Sequence, residues 1–187
     1  AANPQIFGED ESIALNPDVL AFVVSVLQGY SIIQTDTDVK GEAYEEIVGD
    51  NLRGDRGEFF TPRNVTRAAV QILFHTVPRD QWDNVKVIDP ANGTGGFLIA
   101  VLEFLKGEFY KNELEKWGDE EQAERNAWDR LERFSERNLH GIDMNPTLAR
   151  ATKMNIVMHG GSPENIVSEN SLDDPERWGE EARDKIE

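Results

Sequence analysis

The residues of this chain best placed to do chemistry lie in one short stretch and one acid beyond it. Asp89-Pro90-Ala91-Asn92-Gly93-Thr94-Gly95-Gly96-Phe97 joins a carboxylate to a cluster of glycines. Glycine lets a backbone turn tightly and lets a ligand approach it closely. The helix expected next, over 97–106, would aim free N–H groups and the positive end of its dipole at an anion. A second acid, Asp143, ends the next β-like run, so two carboxylates are expected at neighbouring strand ends around the turn.

Three features narrow the ligand. A Walker phosphate loop needs Lys-Ser/Thr after its last glycine, and here Phe97-Leu98 follows. A dinucleotide fingerprint places its acid about 20 residues on, whereas Asp143 comes only after a long charged stretch. Asp89, at the turn itself, would repel a pyrophosphate and favour a cation. A ligand with an ammonium, a sulfonium and a ribose satisfies all three, which describes S-adenosylmethionine. Its carboxylate would meet the N–H groups near Gly95 and Gly96, its cationic end Asp89, and its ribose hydroxyls Asp143. Either aspartate alone fits a plain turn cap equally well; the pair around a glycine turn favours the ligand.

These residues need elements to hold them. The run NVKVID (84–89) is short and β-branched, and the order strand, glycine turn, helix follows directly. NLHGID (138–143) reads as a second strand and NIVSEN (165–170) as a third. Between them Asn145-Pro146 caps a helix carrying Leu148, Ala151, Met154 and Met158, which stops at Gly160-Gly161. Upstream, Thr61-Pro62 opens a helix to about Thr76, with Val65, Ala68, Ala69, Ile72 and Leu73 as its apolar stripe. Asn16-Pro17 opens another, whose Val19, Leu20, Val23, Val24 and Leu27 predict a buried face. A short helix is expected over 41–48, then a glycine-rich loop containing Gly49, Gly54 and Gly57. The charged stretch 108–137, with Phe109, Leu114, Trp117, Trp128, Leu131 and Phe134 interspersed, reads as a solvated helical insertion that uses its aromatics for packing. The tail from Asp173 is polar and carries no signal. Alternating strands and helices predict a parallel sheet.

Composition sets the outer limits. The chain has 187 residues, 36 acidic against 19 basic, for a net charge of −17. That balance argues against this surface alone gripping a phosphate backbone. No apolar run reaches the roughly 18 residues of a membrane span, and the first residues lack a signal-peptide pattern. The absence of cysteine removes disulfides, thiolate metal sites and cysteine nucleophiles. His75, His140 and His159 share no ligand spacing, so no metal is expected. Trp82, Trp117, Trp128 and Trp178 read as packing residues, and Arg53 and Arg56 as solvated charge. A cytoplasmic location is expected.

GEFFTPR (57–63), DPANGTGGFL (89–98) and LHGIDMNPTLARATKMNIVMHG (139–160) together resemble the modification subunit of type I restriction-modification systems, a family of adenine-N6 DNA methyltransferases. The resemblance covers about residues 41–172. It implies an α/β fold: a partial Rossmann-like class I S-adenosylmethionine-dependent methyltransferase fold with an N-terminal helical extension. The extension would be residues 1–56, and the cofactor-binding half of the methyltransferase domain 57–187. Carried onto this sequence, the cofactor residues are Glu58, Phe59, Phe60, Thr61, Pro62 and Arg63; Asp89, Ala91, Asn92, Gly93, Thr94, Gly95, Gly96 and Phe97; and Asp143 and Met144. Phe60 and Pro62 would pack near the cofactor while Thr61 makes polar contacts. The resemblance also puts Asn170, Ser171 and Leu172 near the adenine, although many methyltransferases carry Asp where this chain has Asn170.

The family's catalytic signature, Asn-Pro-Pro-Phe/Tyr, does not occur. Asn3-Pro4, Asn16-Pro17 and Asn145-Pro146 are each followed by another residue type. In the family the Asn oxygen and a Pro carbonyl accept the hydrogens of a poorly nucleophilic amine, and the aromatic stacks on the flipped base. The sequence is therefore expected to be a truncated form carrying the cofactor half, inactive on DNA by itself. DNA would be reached through a full complex with a specificity subunit and a nuclease subunit. Two other readings fit the same pattern: a fragment of an NAD-type dinucleotide-binding oxidoreductase, and a non-catalytic assembly module.

Overall fold

A computed structural model describes residue 6 and residues 12–30 and 61–186. The short helix expected over 41–48 and the glycine-rich loop after it lie outside the described residues. The first helix, α1 (Pro17–Leu27), starts where the sequence says it should: the Asn16 side chain accepts from Asp18 N–H at 2.9 Å, with Pro17 just inside. Its expected buried face is not observed. None of its residues is buried, and Phe22 is 68% exposed. The helix is apolar nearly all round, so its local pattern is sound, but no described element covers it.

The next helix, α2 (Arg63–Thr76), begins with Pro62 as its N-cap residue; Thr61 makes no cap and is exposed. Its buried face is also rotated from the expected one. Thr66, Val70 and Phe74 are buried, whereas Val65, Ala68, Ala69, Ile72 and Leu73 are exposed. The reason lies in what each side meets. Phe74 packs edge-on against Trp82 at 5.6 Å and at a tilt against Phe104 at 5.1 Å. Two and three turns back toward the N-terminus, Arg67 and Arg63 both reach Glu103, at 3.1 and 3.2 Å. Those contacts fix the helix rotation, and the second apolar stripe is left outside.

Among the described residues, three strands form a parallel sheet in the order β1-β2-β3: β1 (Val87–Asp89), β2 (Leu139–Ile142) and β3 (Ile166–Val167). All are shorter than the expected spans, and Val87 pairs with Leu139 while Ile142 pairs with Val167. The crossover from β1 to β2 holds two helices, α3 (Gly96–Trp117) and α4 (Glu120–Asn138). Gly118, at φ 67°, turns the chain, and the Asp119 side chain caps α4 by accepting from Gln122 N–H at 2.8 Å. The charged stretch is helical, as expected: it is the second half of α3 and all of α4, packed as a hairpin. Phe109, Ala123, Ala127, Leu131 and Phe134 join the core.

The hairpin also carries a buried ion pair. Glu113 accepts from Asn126 (3.2 Å), Trp117 Nε1 (3.0 Å) and Arg130 (2.9 Å), and Arg130 continues to Asp83 at 2.8 Å. Burial acts to raise the Glu113 pKa, but these donors outweigh it and hold the carboxyl below its ordinary value.

From β2 the chain crosses to β3 through α5 (Pro146–Met158), capped by the Asn145 side chain on Thr147 N–H. Its buried side carries Leu148, Ala149, Ala151, Thr152, Asn155 and Ile156; Met154 and Met158 are only half-buried. The tail is structured too. A turn of 3-10 helix (Pro175–Arg177) and α6 (Glu180–Ile186) set Trp178 and Ala182 against Ile142 and Val167. They cover the sheet face opposite the main core over β2 and β3, where the His140 ring Nδ1 donates to the Lys185 carbonyl at 3.0 Å. Over β1 the same face is open, and Ile88 is 53% exposed.

Candidate functional site

The glycine turn leaves β1 at Asp89 and enters α3 at Gly96. It stays attached to the sheet, because Asn92 N–H donates to the Ile142 carbonyl at 3.0 Å, and it closes with Gly95 N–H on the Asn92 carbonyl at 2.6 Å. Gly95 has φ 88° and is the N-cap of α3. A Cβ there would be both strained and only 2.8 Å from Thr152 Cγ2. Having no side chain, Gly95 also brings no cap to the first-turn N–H groups of α3, which an anion can therefore use. At Gly93, φ 55°, a Cβ would meet nothing, so that side of the turn is open.

Asp143 follows β2 directly, its N–H bonded to the Val167 carbonyl at 3.2 Å. Its two carboxylate oxygens accept from Gly93 N–H and from Asn145 N–H, each at 2.9 Å. Asp89 Oδ1 accepts from Ala91 N–H at 3.1 Å. Both acids therefore hold local backbone, and both keep lone pairs for a ligand, since a carboxylate offers about four acceptor sites. The Asp89 pKa is raised, first by burial and further by the negative charge of Asp143, against the Ala91 hydrogen bond. A cation beside Asp89 would relieve that cost; a second anion would add to it.

Among the other expected residues, Ala91, Phe97 and Met144 are exposed, Met144 at 74%. Asn92 and Thr94 are buried, and the Asn92 side chain donates to the Gly93 carbonyl of the turn at 3.0 Å. Thr61 and Pro62 are exposed just ahead of α2, whose Thr66 Cγ2 lies 4.0 Å from a Cβ built on Gly96. Arg63 is engaged with Glu103. Asn170 and Ser171 are half-buried and Leu172 is exposed. Glu58, Phe59 and Phe60 lie outside the described residues.

The structure adds three residues that the sequence reading passed over: Thr152 and Asn155 under the glycine turn, and Gly141 in β2. A Cβ on Gly141 would come within 2.8 Å of Asn92 Oδ1, Ile166 Cδ1 and Leu98 Cδ1. Polar residues recurring among the apolar positions of α5 were the available signal. A cavity of about 690 Å³ between α2, α3 and α4, lined in part by Arg67, Lys106, Tyr110 and Trp128, contains none of the expected site residues. Among the described residues, no group of three His, Asp or Glu side chains is placed to hold a metal ion, and no helix is long and apolar enough to cross a membrane.

A family model for N-6 DNA methylase matches residues 35–186. The chain is 29% identical over 143 residues to the methylase subunit of the type I restriction enzyme MjaIX of Methanocaldococcus jannaschii, covering 73% of this chain and 20% of that protein. It is 39% identical over 72 residues to the EcoEI methylase subunit of Escherichia coli, covering 38% of this chain and 14% of that protein. Among solved structures it resembles a modification subunit assigned to a type I restriction enzyme of Vibrio vulnificus. The TM-score is 0.57 at 26% identity, over 88% of this chain and 30% of that one. The chain thus spans a fifth or less of the length of these two curated relatives. Because the family match takes in the glycine turn, both aspartates and all three strands, the chain belongs to the N-6 DNA methylase family.

Proposed function

We propose that this chain is the S-adenosylmethionine-binding part of an adenine-N6 DNA methyltransferase, the modification subunit of a type I restriction-modification system. The observation that carries the reading is the pair Asp89 and Asp143 on either side of a glycine turn, at the ends of adjacent parallel strands. Ligands of open α/β sheets bind outside the carboxyl ends of strands, and a Rossmann-like class I methyltransferase fold accounts for the three strands and their order. In this reading residues 57–187 form the cofactor-binding half and residues 1–56 an N-terminal extension.

The chain's own groups divide the work by charge. Asp143 accepts from the ribose hydroxyls with the lone pairs left by Gly93 and Asn145. Asp89 faces the ammonium or sulfonium charge. The N–H groups at the start of α3 receive the carboxylate, and Phe97, Met144 and the 170–172 turn supply apolar and polar walls for the adenine, with the 58–63 segment closing the pocket. When bound, S-adenosylmethionine supplies an electrophilic methyl group for the exocyclic amine of adenine. Transfer also needs base-binding residues of the Asn-Pro-Pro-aromatic type, which these 187 residues do not contain. The net charge of −17 supports DNA engagement through a specificity subunit, with a nuclease subunit as a further partner, in the cytoplasm.

Calorimetric titration of the purified chain with S-adenosylmethionine, S-adenosylhomocysteine and NAD tests the reading. Saturable binding of the first two is expected. Binding of NAD in their place would overturn it in favour of an oxidoreductase.

A further inference from the structure

The polar residues of α5 are a costly feature of the core that the proposed function has not used. Thr152 and Asn155 are both fully buried, on a helix side otherwise made of Leu148, Ala149, Ala151 and Ile156. Burying a hydroxyl and an amide is unfavourable unless each finds a partner. The Thr152 hydroxyl and the N–H side of the Asn155 amide find theirs on the glycine turn. Thr152 Oγ1 donates to the Gly93 carbonyl at 2.7 Å and accepts from Asn92 Nδ2 at 2.8 Å, and Asn92 Nδ2 also reaches the Gly93 carbonyl at 3.0 Å. Asn155 Nδ2 donates to the Thr94 carbonyl at 3.1 Å.

We propose that Thr152 and Asn155 are positioning residues that hold the turn's peptide groups in the orientation the cofactor requires. This inference rests on the reading of the site given above. A trans peptide is planar, with C=O and N–H pointing opposite ways. Fixing the Gly93 carbonyl on α5 therefore turns the Thr94 N–H away from the helix. The same helix serves the other half of the site, because its cap residue Asn145 binds Asp143 Oδ1 while Asp143 Oδ2 binds Gly93 N–H. One rigid element thus sets the spacing between the acid and the turn. The Thr152 methyl group fills the space that the absent side chain of Gly95 leaves, which explains why threonine and glycine occur together here.

The test compares Thr152→Val, which keeps the shape and loses the hydroxyl, with Thr152→Ser, which keeps the hydroxyl and loses the methyl. S-adenosylhomocysteine affinity is read by calorimetry and stability by urea unfolding. Ile156→Val, on the same helix but with a side chain that makes no hydrogen bond to the turn, controls for stability alone. Thr152→Val is expected to weaken binding about tenfold, Thr152→Ser to keep it within roughly threefold, and Ile156→Val to lower the urea midpoint without changing affinity. Equal binding by wild type and Thr152→Val would overturn the inference and leave the functional reading standing. Failure of the wild type to bind would overturn the reading itself. Should Thr152→Val not fold, Asn155→Ala carries the same comparison: weakened binding supports the inference, and unchanged binding overturns it.

Discussion

The ends of β1 and β3 occupy equivalent places on one parallel sheet, yet they are built differently. After β1 the chain is fastened from several directions: Asp143 holds the Gly93 N–H, Thr152 and Asn92 hold its carbonyl, and Asn155 holds the Thr94 carbonyl. After β3 the chain relies mostly on itself. Asn170 Oδ1 accepts from Leu172 N–H at 3.1 Å, the Asn170 carbonyl accepts from Trp178 Nε1 at 3.0 Å, and Leu172 is 93% exposed. The first end is preorganised by residues distant in sequence; the second is a local Asx turn steadied by bonds from nearby Trp178 and Gly179. A site that must orient charged groups benefits from the first kind of construction, since no ordering remains to be done on binding.

The contrast can be broken most severely at Gly95. Gly95→Ala combines left-handed backbone strain with overlap on Thr152, so urea unfolding should show a loss of about 2–4 kcal/mol, and calorimetry no cofactor binding. Asp143→Ala comes next. It leaves Gly93 and Asn145 N–H without their acceptor, which should cost about 1–3 kcal/mol in the same unfolding measurement, and the titration with S-adenosylmethionine should give no heat.

Asp89→Asn should act in opposite directions on stability and binding. The folded-state pKa of Asp89 lies above the ordinary 3.8, so the folded chain holds that proton more tightly than the unfolded chain. The charged carboxylate therefore costs stability at pH values above the folded pKa, and the cost disappears as the pH falls below 3.8. The variant should unfold at higher urea than wild type at pH 7, lose that advantage in acid, and bind S-adenosylmethionine more weakly. The smallest effect is expected at the other end of the comparison. Leu172→Ser should change stability by no more than about 0.5 kcal/mol, while a several-fold loss of cofactor affinity would sharpen the place of that turn in the site.

The sequence revealed those parts of the fold that are decided within a few residues. Asn16 and Asn145 cap their helices as read, and the order of strand, glycine turn and helix holds, because caps and tight turns are local chemistry. The buried face of α2 is not legible in its own sequence, because both of its sides carry apolar residues and Trp82, Phe104 and Glu103, brought by other elements, decide between them. The α3–α4 hairpin reads as solvated since its core residues are spaced thinly among charges. In the tail, Trp178 and Ala182 were too few to register as a buried face. Thr152 and Asn155 were overlooked for a related reason: polar residues on a helix read as surface until the loop they serve is folded over them. For the candidate site, the two aspartates and the glycines were legible from type and spacing, whereas the scaffold behind them required long-range contacts.

The most direct measurement is a crystal of this chain soaked with S-adenosylhomocysteine. The ligand should lie across the ends of β1 and β2, with its sugar hydroxyls on Asp143 and its amino group toward Asp89. A ligand bound instead in the cavity beside Lys106 and Trp128, with the strand ends bare, would contradict the assignment of the site.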